Sequence, residues 1–160
     1  MALIAHWKMN DAAGQKTVVD FSGNGYDGTA DVNIVSVVGK IGSAISFDGA
    51  ADLVTTVDTD AFSPAGVEIS MACWVRAASY ASVQRLLGKG VGYTNGEWDL
   101  SIDATGFHFN LVDSTENGYE GRTTGTMAGY HGKFVHVIAT YTGAGGKANI
   151  KLYVNGVRKD

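Results

Sequence analysis

The amino-acid sequence predicts an all-β protein folded as an antiparallel β-sandwich. Apolar residues alternate with polar ones along several segments, which is typical of half-buried strands, whereas the three-and-four spacing of an amphipathic helix does not recur. Glycine occupies 22 positions and proline only one, a balance that favours many tight turns. Hydrophobic residues make up 45% of the 160 residues, so the chain is long and apolar enough to bury a core.

The clearest predicted strand runs from Glu68 to Arg76. Its odd-numbered positions are apolar and would pack inward, while Trp74 and Arg76 would lie on the opposite face. Cys73 is the single cysteine of the chain, so an internal disulfide is excluded. Its place on the apolar face predicts a buried thiol rather than a reactive one.

Residues 107–111 and 149–154 show the same alternation and predict two further strands. Between Phe134 and Tyr141 both faces of the pattern are largely apolar. A strand of this kind is typical of the middle of a sheet, so we expect it to be central, with both of its faces covered.

The dipeptide Asn155-Gly156 is the strongest hairpin signal in the sequence, yet only four residues follow it. The returning strand would be cut short. We therefore expect either that the protein continues beyond Asp160 or that a strand from elsewhere completes the sheet edge. No linker or repeat divides the sequence, so the prediction is one domain over residues 1–160 that lacks its last strands.

The charge balance argues against nucleic acid as a partner. The formal net charge is −4 and the sequence pI is about 5.4, and the basic residues are scattered.

The first residues lack the charged and apolar regions of a secretory signal, and no apolar run reaches membrane-spanning length. We expect a soluble protein without membrane insertion that acts at an extracellular or virion surface.

Several segments, in order, resemble the laminin G-like domains of the concanavalin A-like lectin and glucanase superfamily. They are IAHWKMND from Ile4, DFSGNGYDG from Asp20, GKIGSAISFDG from Gly39 and ISMACWV from Ile69, with a late hairpin of GKFVHVIATY from Gly132 and KLYVNG from Lys151. The sequence departs from the family at Phe134, where Trp is common, and at Val135, where His is common. The resemblance implies a concanavalin A-like jelly roll.

The segment from Asp20 to Gly25 predicts a calcium site, because oxygen-bearing side chains alternate along it and are followed by glycine. An EF-hand is excluded, since no amphipathic helix flanks the loop and its twelfth residue is Asp rather than Glu. The alternative is an Asx-type turn in which these side chains bind loop amides without metal. The predicted ligands are Asp20, Ser22, Asn24, Asp27 and Asp31.

The segment from Glu97 to Asp103 puts acidic residues on one face of a predicted strand. It faintly resembles the catalytic strand of the jelly-roll glucanases, but Ser101 and Ile102 stand where that motif has its second Glu. Glu97 and Asp103 would lie roughly 20 Å apart at about 3.3 Å per residue, too far to act on one bond, whereas Glu97 and Asp99 could cooperate in principle. The favoured interpretation is a solvated acidic stripe, so no catalytic residue is predicted.

Aromatic residues near glycines or polar turns predict a shallow glycan site, because aromatic rings stack on sugar rings. Asn117, Glu120 and Arg122 would supply polar contacts. The alternative, left open, is that the rings cap the ends of the sandwich. The predicted ligand-binding residues are Tyr93, Trp98, Tyr119, Arg122 and Tyr130, with Tyr80 a further candidate.

The histidines show no metal-ligand spacing, so His6, His108, His131 and His136 are expected to be structural or exposed.

Three candidate functions remain for the chain. The first is a non-catalytic recognition module that binds glycans or a cell surface, with Ca²⁺ as its candidate cofactor. The second is a structural decoration or attachment domain whose partners are neighbouring subunits of an assembly such as a phage virion. The third is a jelly-roll glycoside hydrolase.

Overall fold

The computed structural model describes most of the chain and contains two compact units, Met1–Phe62 and Ser63–Asp160. The described residues are 2–64, 67–78, 82–90, 97–112, 120–123, 125–127, 129–144 and 146–160. The prediction of one domain over residues 1–160, with its last strands missing, stays a prediction.

The first unit is built of short antiparallel strands. Strands β1, β2 and β5 form one sheet in the order β1-β2-β5, and β3 and β4 form a separate hairpin. Val18, Ala30 and Ile34 are its buried apolar centre, against which Trp7 and Val54 pack. The elements are β1 Thr17–Val18, β2 Gly28–Ala30, β3 Val35–Val38, β4 Ser43–Ser46, β5 Val54–Thr55 and a 3-10 helix at Asp60–Phe62.

The second unit contains two four-stranded antiparallel sheets. Its elements are β6 Ile69–Val75, β7 Gln84–Lys89, β8 Trp98–Asp103, β9 Gly106–Leu111, β10 Glu120–Thr123, β11 Val135–Tyr141, a 3-10 helix at Lys147–Asn149, β12 Ile150–Val154 and β13 Val157–Arg158. Sheet A has the order β10-β9-β8-β7, and sheet B has the order β13-β12-β11-β6.

The two sheets pack on one another, since β12 of sheet B contacts β9 and β10 of sheet A. Alternation puts one face of each strand into this core. Sheet A contributes Leu100, Ile102, Phe107 and Phe109, and sheet B contributes Val135, Val137, Ala139, Ile150, Leu152 and Val154, all of them buried. The predicted all-β sandwich and the strands predicted around 68–76, 107–111, 134–141 and 149–154 are confirmed.

Strand β11 is central, as predicted, because it pairs with β6 on one side and β12 on the other. The expectation that both of its faces are covered is wrong for the outward one. His136, Ile138 and Thr140 are only half-buried there. The physical reason is that the neighbouring β6 leaves its outward side chains, including Trp74, exposed.

The predicted hairpin at Asn155-Gly156 joins β12 to β13. Both residues have positive φ, 51° and 80°, as a type I′ turn requires. The Asn155 side chain adds a contact, because its Oδ1 accepts a hydrogen bond of 2.9 Å from the His136 amide. Among the described residues, no helix is long and apolar enough to cross a membrane.

Candidate functional site

The outward face of sheet A carries polar side chains in two rows that cross its four strands. On β8, Leu100 and Ile102 point into the core, so alternation turns the residues between them outward. One row runs Gly88, Asp99, Asn110 and Gly121, and the next runs Arg85, Ser101, His108 and Thr123. We call these two rows, together with the adjoining Asp103 and Thr105, the polar depression.

The polar depression has a buried floor and an exposed rim. Ser101 and Asn110 are 2% and 8% exposed, while Arg85, Gly88 and Thr123 at the edges are exposed. A buried amide must find hydrogen-bond partners, and Asn110 Nδ2 donates to Asp99 Oδ1 at 3.2 Å. The floor is therefore polar, fixed in place and bordered by groups that water or a ligand reaches.

Two glycines keep space for these side chains. A Cβ at Gly121 would overlap Asn110 Oδ1, and a Cβ at Gly88 would lie 3.0 Å from Arg85 Cδ. Neither glycine has a left-handed φ, so the backbone itself would accept alanine. What these positions require is room for the neighbouring polar groups.

The His108 ring contacts three polar side chains and joins them into one hydrogen-bonded network. Its Nε2 lies 3.0 Å from Asp103 Oδ1 and 3.1 Å from Thr105 Oγ1, and its Nδ1 lies 3.3 Å from Thr123 Oγ1. Hydrogen bonds from Thr105, stronger than the opposing effect of burial, hold the pKa of Asp103 well below its usual range, and His108 adds to this. Asp103 is thus a carboxylate at neutral pH.

The carboxylates of the depression do not form a glycosidase pair. Asp99 and Asp103 are four residues apart on β8, roughly 13 Å at about 3.3 Å per residue, whereas such pairs lie about 5 to 9.5 Å apart. Glu97 is engaged elsewhere, with Lys89 Nζ at 2.8 Å and the Ser63 hydroxyl at 3.1 Å. Asp99 and Asp103 are also half-buried, which corrects the expectation of a solvated stripe.

The predicted aromatic site is only partly visible in the structure. Tyr80, Tyr93, Asn117 and Tyr119 lie outside the described residues, and Glu120 and Arg122 are described only through their backbone in β10. Tyr130 is a half-buried turn residue whose amide donates to the Met127 carbonyl. The ligand-binding role of these residues stays a prediction.

Trp98, one of the predicted ligand-binding aromatic residues, is the first residue of β8. It shares the inward face with Leu100 and is 8% exposed. Alternation along β8 directs the indole into the core. Trp98 packs the sandwich and offers little surface to a ligand.

The Asp20 loop has the geometry of the metal-free alternative. Asp20 Oδ1 accepts hydrogen bonds from the amides of His6 at 2.8 Å and Ser22 at 2.9 Å, and Oδ2 accepts from the Ser22 hydroxyl at 2.7 Å and the Tyr26 amide at 3.0 Å. Burial works to raise the pKa of Asp20, but these bonds outweigh it and lower the pKa far below its usual range.

The other predicted ligands also bind protein groups. Asn24 donates through Nδ2 to the carbonyls of Leu3 and Ile4. Asp27 Oδ1 accepts from the Asp20 amide at 2.7 Å, and Asp31 Oδ1 accepts from the amides of Val32 and Leu53. Each predicted carboxylate thus already accepts an N–H or O–H group, as the Asx-type alternative requires. The calcium prediction itself stays untested.

The remaining histidines fill the structural or exposed roles expected of them. The His6 amide binds Asp20 and His131 is exposed, while the His136 ring stacks on Trp74. Within the ranges that the structure describes, no group of three or more His, Cys, Asp or Glu side chains is placed to hold a metal ion.

Sequence reasoning overlooked most of the polar depression. His108 and Asn110 alternate with buried Phe107 and Phe109, which marks them as outward residues of a strand. Their partners on β8 and β10 cannot be predicted from a sequence pattern, because strand order and register decide which residues stand opposite them.

Three comparisons with known proteins bear on the fold. The family model Laminin_G_3, described as the concanavalin A-like lectin/glucanases superfamily, matches residues 48–160. A search of curated protein sequences finds no significant match. The chain is similar to the crystal structure of the binding domain of Paraclostridial Mosquitocidal Protein 1, with a TM-score of 0.70 and 13% identity, over 98% of this chain and 39% of that chain. At this identity the likeness shows the fold alone.

Proposed function

Since the chain belongs to the concanavalin A-like lectin/glucanases superfamily, we propose that it is a non-catalytic recognition module that binds glycans, such as those of a cell surface, through the polar depression. The observation that carries the proposal is the pair of polar rows on sheet A, with a buried floor at Ser101 and Asn110. The binding domain of Paraclostridial Mosquitocidal Protein 1 shares the fold, so the proposal is argued from the residues of this chain.

The chemistry of the depression suits sugar hydroxyls. A hydroxyl both donates and accepts, so its site needs acceptors and donors side by side. Asp99 and Asp103 supply carboxylate acceptors, Asn110 an amide, and Thr123 a hydroxyl. These groups are held by neighbouring side chains before any ligand arrives, which reduces the ordering cost of binding.

The test is a glycan array followed by calorimetry with the best hit, comparing the wild type with Gly121→Ala and Asn110→Ala. The added methyl group at position 121 would displace Asn110 Oδ1, so both variants should weaken binding about tenfold or more, the loss expected for a buried hydrogen-bonding group. Ser36→Ala, an exposed change on β3 of the first unit, is the control and should bind like the wild type.

Two results would count against the proposal. Glycan binding that is unchanged in both depression variants would move the site away from sheet A. A blank array, together with oligomers at micromolar protein concentration, would favour the structural role in an assembly. Turnover of a glycan that disappears in Asp99→Asn would instead show a hydrolase.

A further inference from the structure

We propose that the outward face of sheet B is a second binding site, separate from the polar depression, for saccharides that carry a carboxylate or sulfate group. Four residues define this basic-aromatic face: Trp74 in β6, Arg76 just after β6, Phe134 just before β11, and His136 in β11.

The aromatic part of the face is already ordered. The Trp74 and His136 rings stack with centroids 4.9 Å apart and planes 28° from parallel, and the two residues are direct cross-strand partners. Trp74 is nonetheless 43% exposed. The part of the indole that the His136 ring leaves uncovered is flat and exposed, so a sugar ring can stack on it.

The charged part of the face lies beside this ring. Arg76 follows Trp74 by two residues, so both point outward about 7 Å apart along the chain. The Arg76 guanidinium lies over the Phe134 ring, 4.8 Å from its centroid, and the residue is exposed. A guanidinium binds carboxylate and sulfate groups through charge-assisted hydrogen bonds.

Charge complementarity selects an anionic ligand. The chain as a whole has a net charge of −4, yet the strands of sheet B contain no Asp or Glu. Their charged residues are Lys151 on β12 and Arg158 on β13, and Arg158 is paired with Asp160 at 2.8 Å. An acidic sugar approaching Trp74 therefore meets Arg76 and no carboxylate from these strands.

A neutral glycan fits this face less well, because it would leave Arg76 without an anionic partner. Nucleic acid also combines rings with negative charge, but its affinity depends on many phosphate contacts. The basic-aromatic face offers one guanidinium next to its indole, which matches an isolated acidic substituent on a sugar ring.

Titration calorimetry with three tetrasaccharides tests the proposal: a hyaluronan fragment bearing carboxylates, a chondroitin sulfate fragment bearing sulfates as well, and neutral chitotetraose. We expect the acidic probes to bind and chitotetraose to leave this face empty. Affinity should fall about tenfold or more in Trp74→Ala and in Arg76→Gln. Lys147→Gln removes an exposed positive charge elsewhere and is the control, expected to match the wild type.

Acrylamide quenching gives a second readout on the unmodified protein. Trp7 is half-buried and Trp98 buried, so Trp74 is the most accessible tryptophan. A bound acidic tetrasaccharide should protect its emission, and the protection should weaken as salt rises. Because Gly121→Ala and Asn110→Ala alter sheet A only, they should not affect this signal, which separates the two sites.

Three outcomes would overturn the second site. The first is the absence of protection by either acidic probe. The second is equal affinity for chitotetraose, or for a single-stranded oligothymidylate, at this face. The third is acidic-probe binding that survives in both Trp74→Ala and Arg76→Gln. Trp74→Phe, which keeps a ring, should retain part of the affinity and guards against a folding defect in Trp74→Ala.

Discussion

Asp20 connects parts of the chain that are distant in sequence. One carboxylate accepts hydrogen bonds from His6, Ser22 and Tyr26, and the Asp20 amide in turn donates to Asp27. The same residue pairs with Trp7 in an isolated bridge. A single buried acidic side chain therefore fixes the N-terminal segment against the following loop.

We expect Asp20→Asn to destabilise the protein by about 2 kcal/mol near pH 7, because hydrogen bonds to an ionised group are worth about 1.5 to 3 kcal/mol. The folded pKa is lowered, so this stability exists above the ordinary Asp pKa of about 3.9 and is lost as pH falls below it. Urea unfolding at a series of pH values should show the gap between variant and wild type closing in acid.

Asp60→Asn, at an exposed position, is the charge-matched control and should cost little. A gap for Asp20→Asn that stays constant down to pH 2.5 would show that ionisation of Asp20 does not contribute to stability.

Cys73 should resist thiol reagents in the folded protein. Burial raises the pKa of its thiol to about 12, and the thiolate is the reactive form. Labelling with a chromogenic disulfide near pH 8 should be slow in native buffer and fast in concentrated urea. Rapid native labelling would mean that the end of β6 opens readily.

At this scale the sequence predicts burial well and partners poorly. Alternation placed Cys73 on the inward face correctly, and the same rule applied to residues 98–103 would have placed Trp98 inward. The His108 and Asn110 contacts could not be predicted, because they depend on which residues of β8 and β10 stand opposite in the sheet.

The β12–β13 hairpin shows how one turn fixes a strand register. Asn155 uses its backbone amide to bind the His136 carbonyl and its side chain to bind the His136 amide. The turn of one hairpin is thus joined to the neighbouring strand β11. Beyond the turn, the Lys159 amide binds the Leu152 carbonyl and Asp160 accepts from the Leu152 amide.

Asn155→Ala should lower the free energy of unfolding by about 1 to 2 kcal/mol, since alanine at positive φ is strained and the bond to His136 is lost. Asn155→Gly keeps the backbone conformation and should cost less. Thermal melts of both variants measure the difference. Equal melting temperatures for the two would show that the left-handed backbone conformation is not what makes Asn155 important.

Long strands were predictable and short ones were not. The strands at 69–75, 135–141 and 150–154 each hold enough residues to show a period of two. By contrast β1, β2 and β5 have two or three residues, too few for periodicity to appear. Their pairing is set by contacts around Val18 and Ala30.

For the molecule as a whole, family resemblance predicted more than composition did. Glycine content and alternation indicated an all-β fold, and the ordered motifs indicated which one, as the family match over residues 48–160 confirms. Neither the composition nor the family resemblance indicated the two polar rows of sheet A, because many different sites are compatible with one fold.

Calcium binding is a property of the whole molecule, measured by its melting temperature. A ligand that binds only the folded state raises the midpoint. Because the Asp20 oxygens already accept four hydrogen bonds, we expect the chelated protein to melt at the same temperature with and without millimolar Ca²⁺. An increase that disappears in Asp20→Ala would show that the calcium prediction is right and that the ion replaces these bonds.

The outward faces of two packed sheets point in opposite directions, so no small ligand can contact both. With the two proposed sites, the polar depression on sheet A and the basic-aromatic face on sheet B, a single molecule would have two separate valences. It would then join two saccharide chains without forming a dimer, and on a surface that displays both kinds of sugar its avidity would exceed either affinity alone.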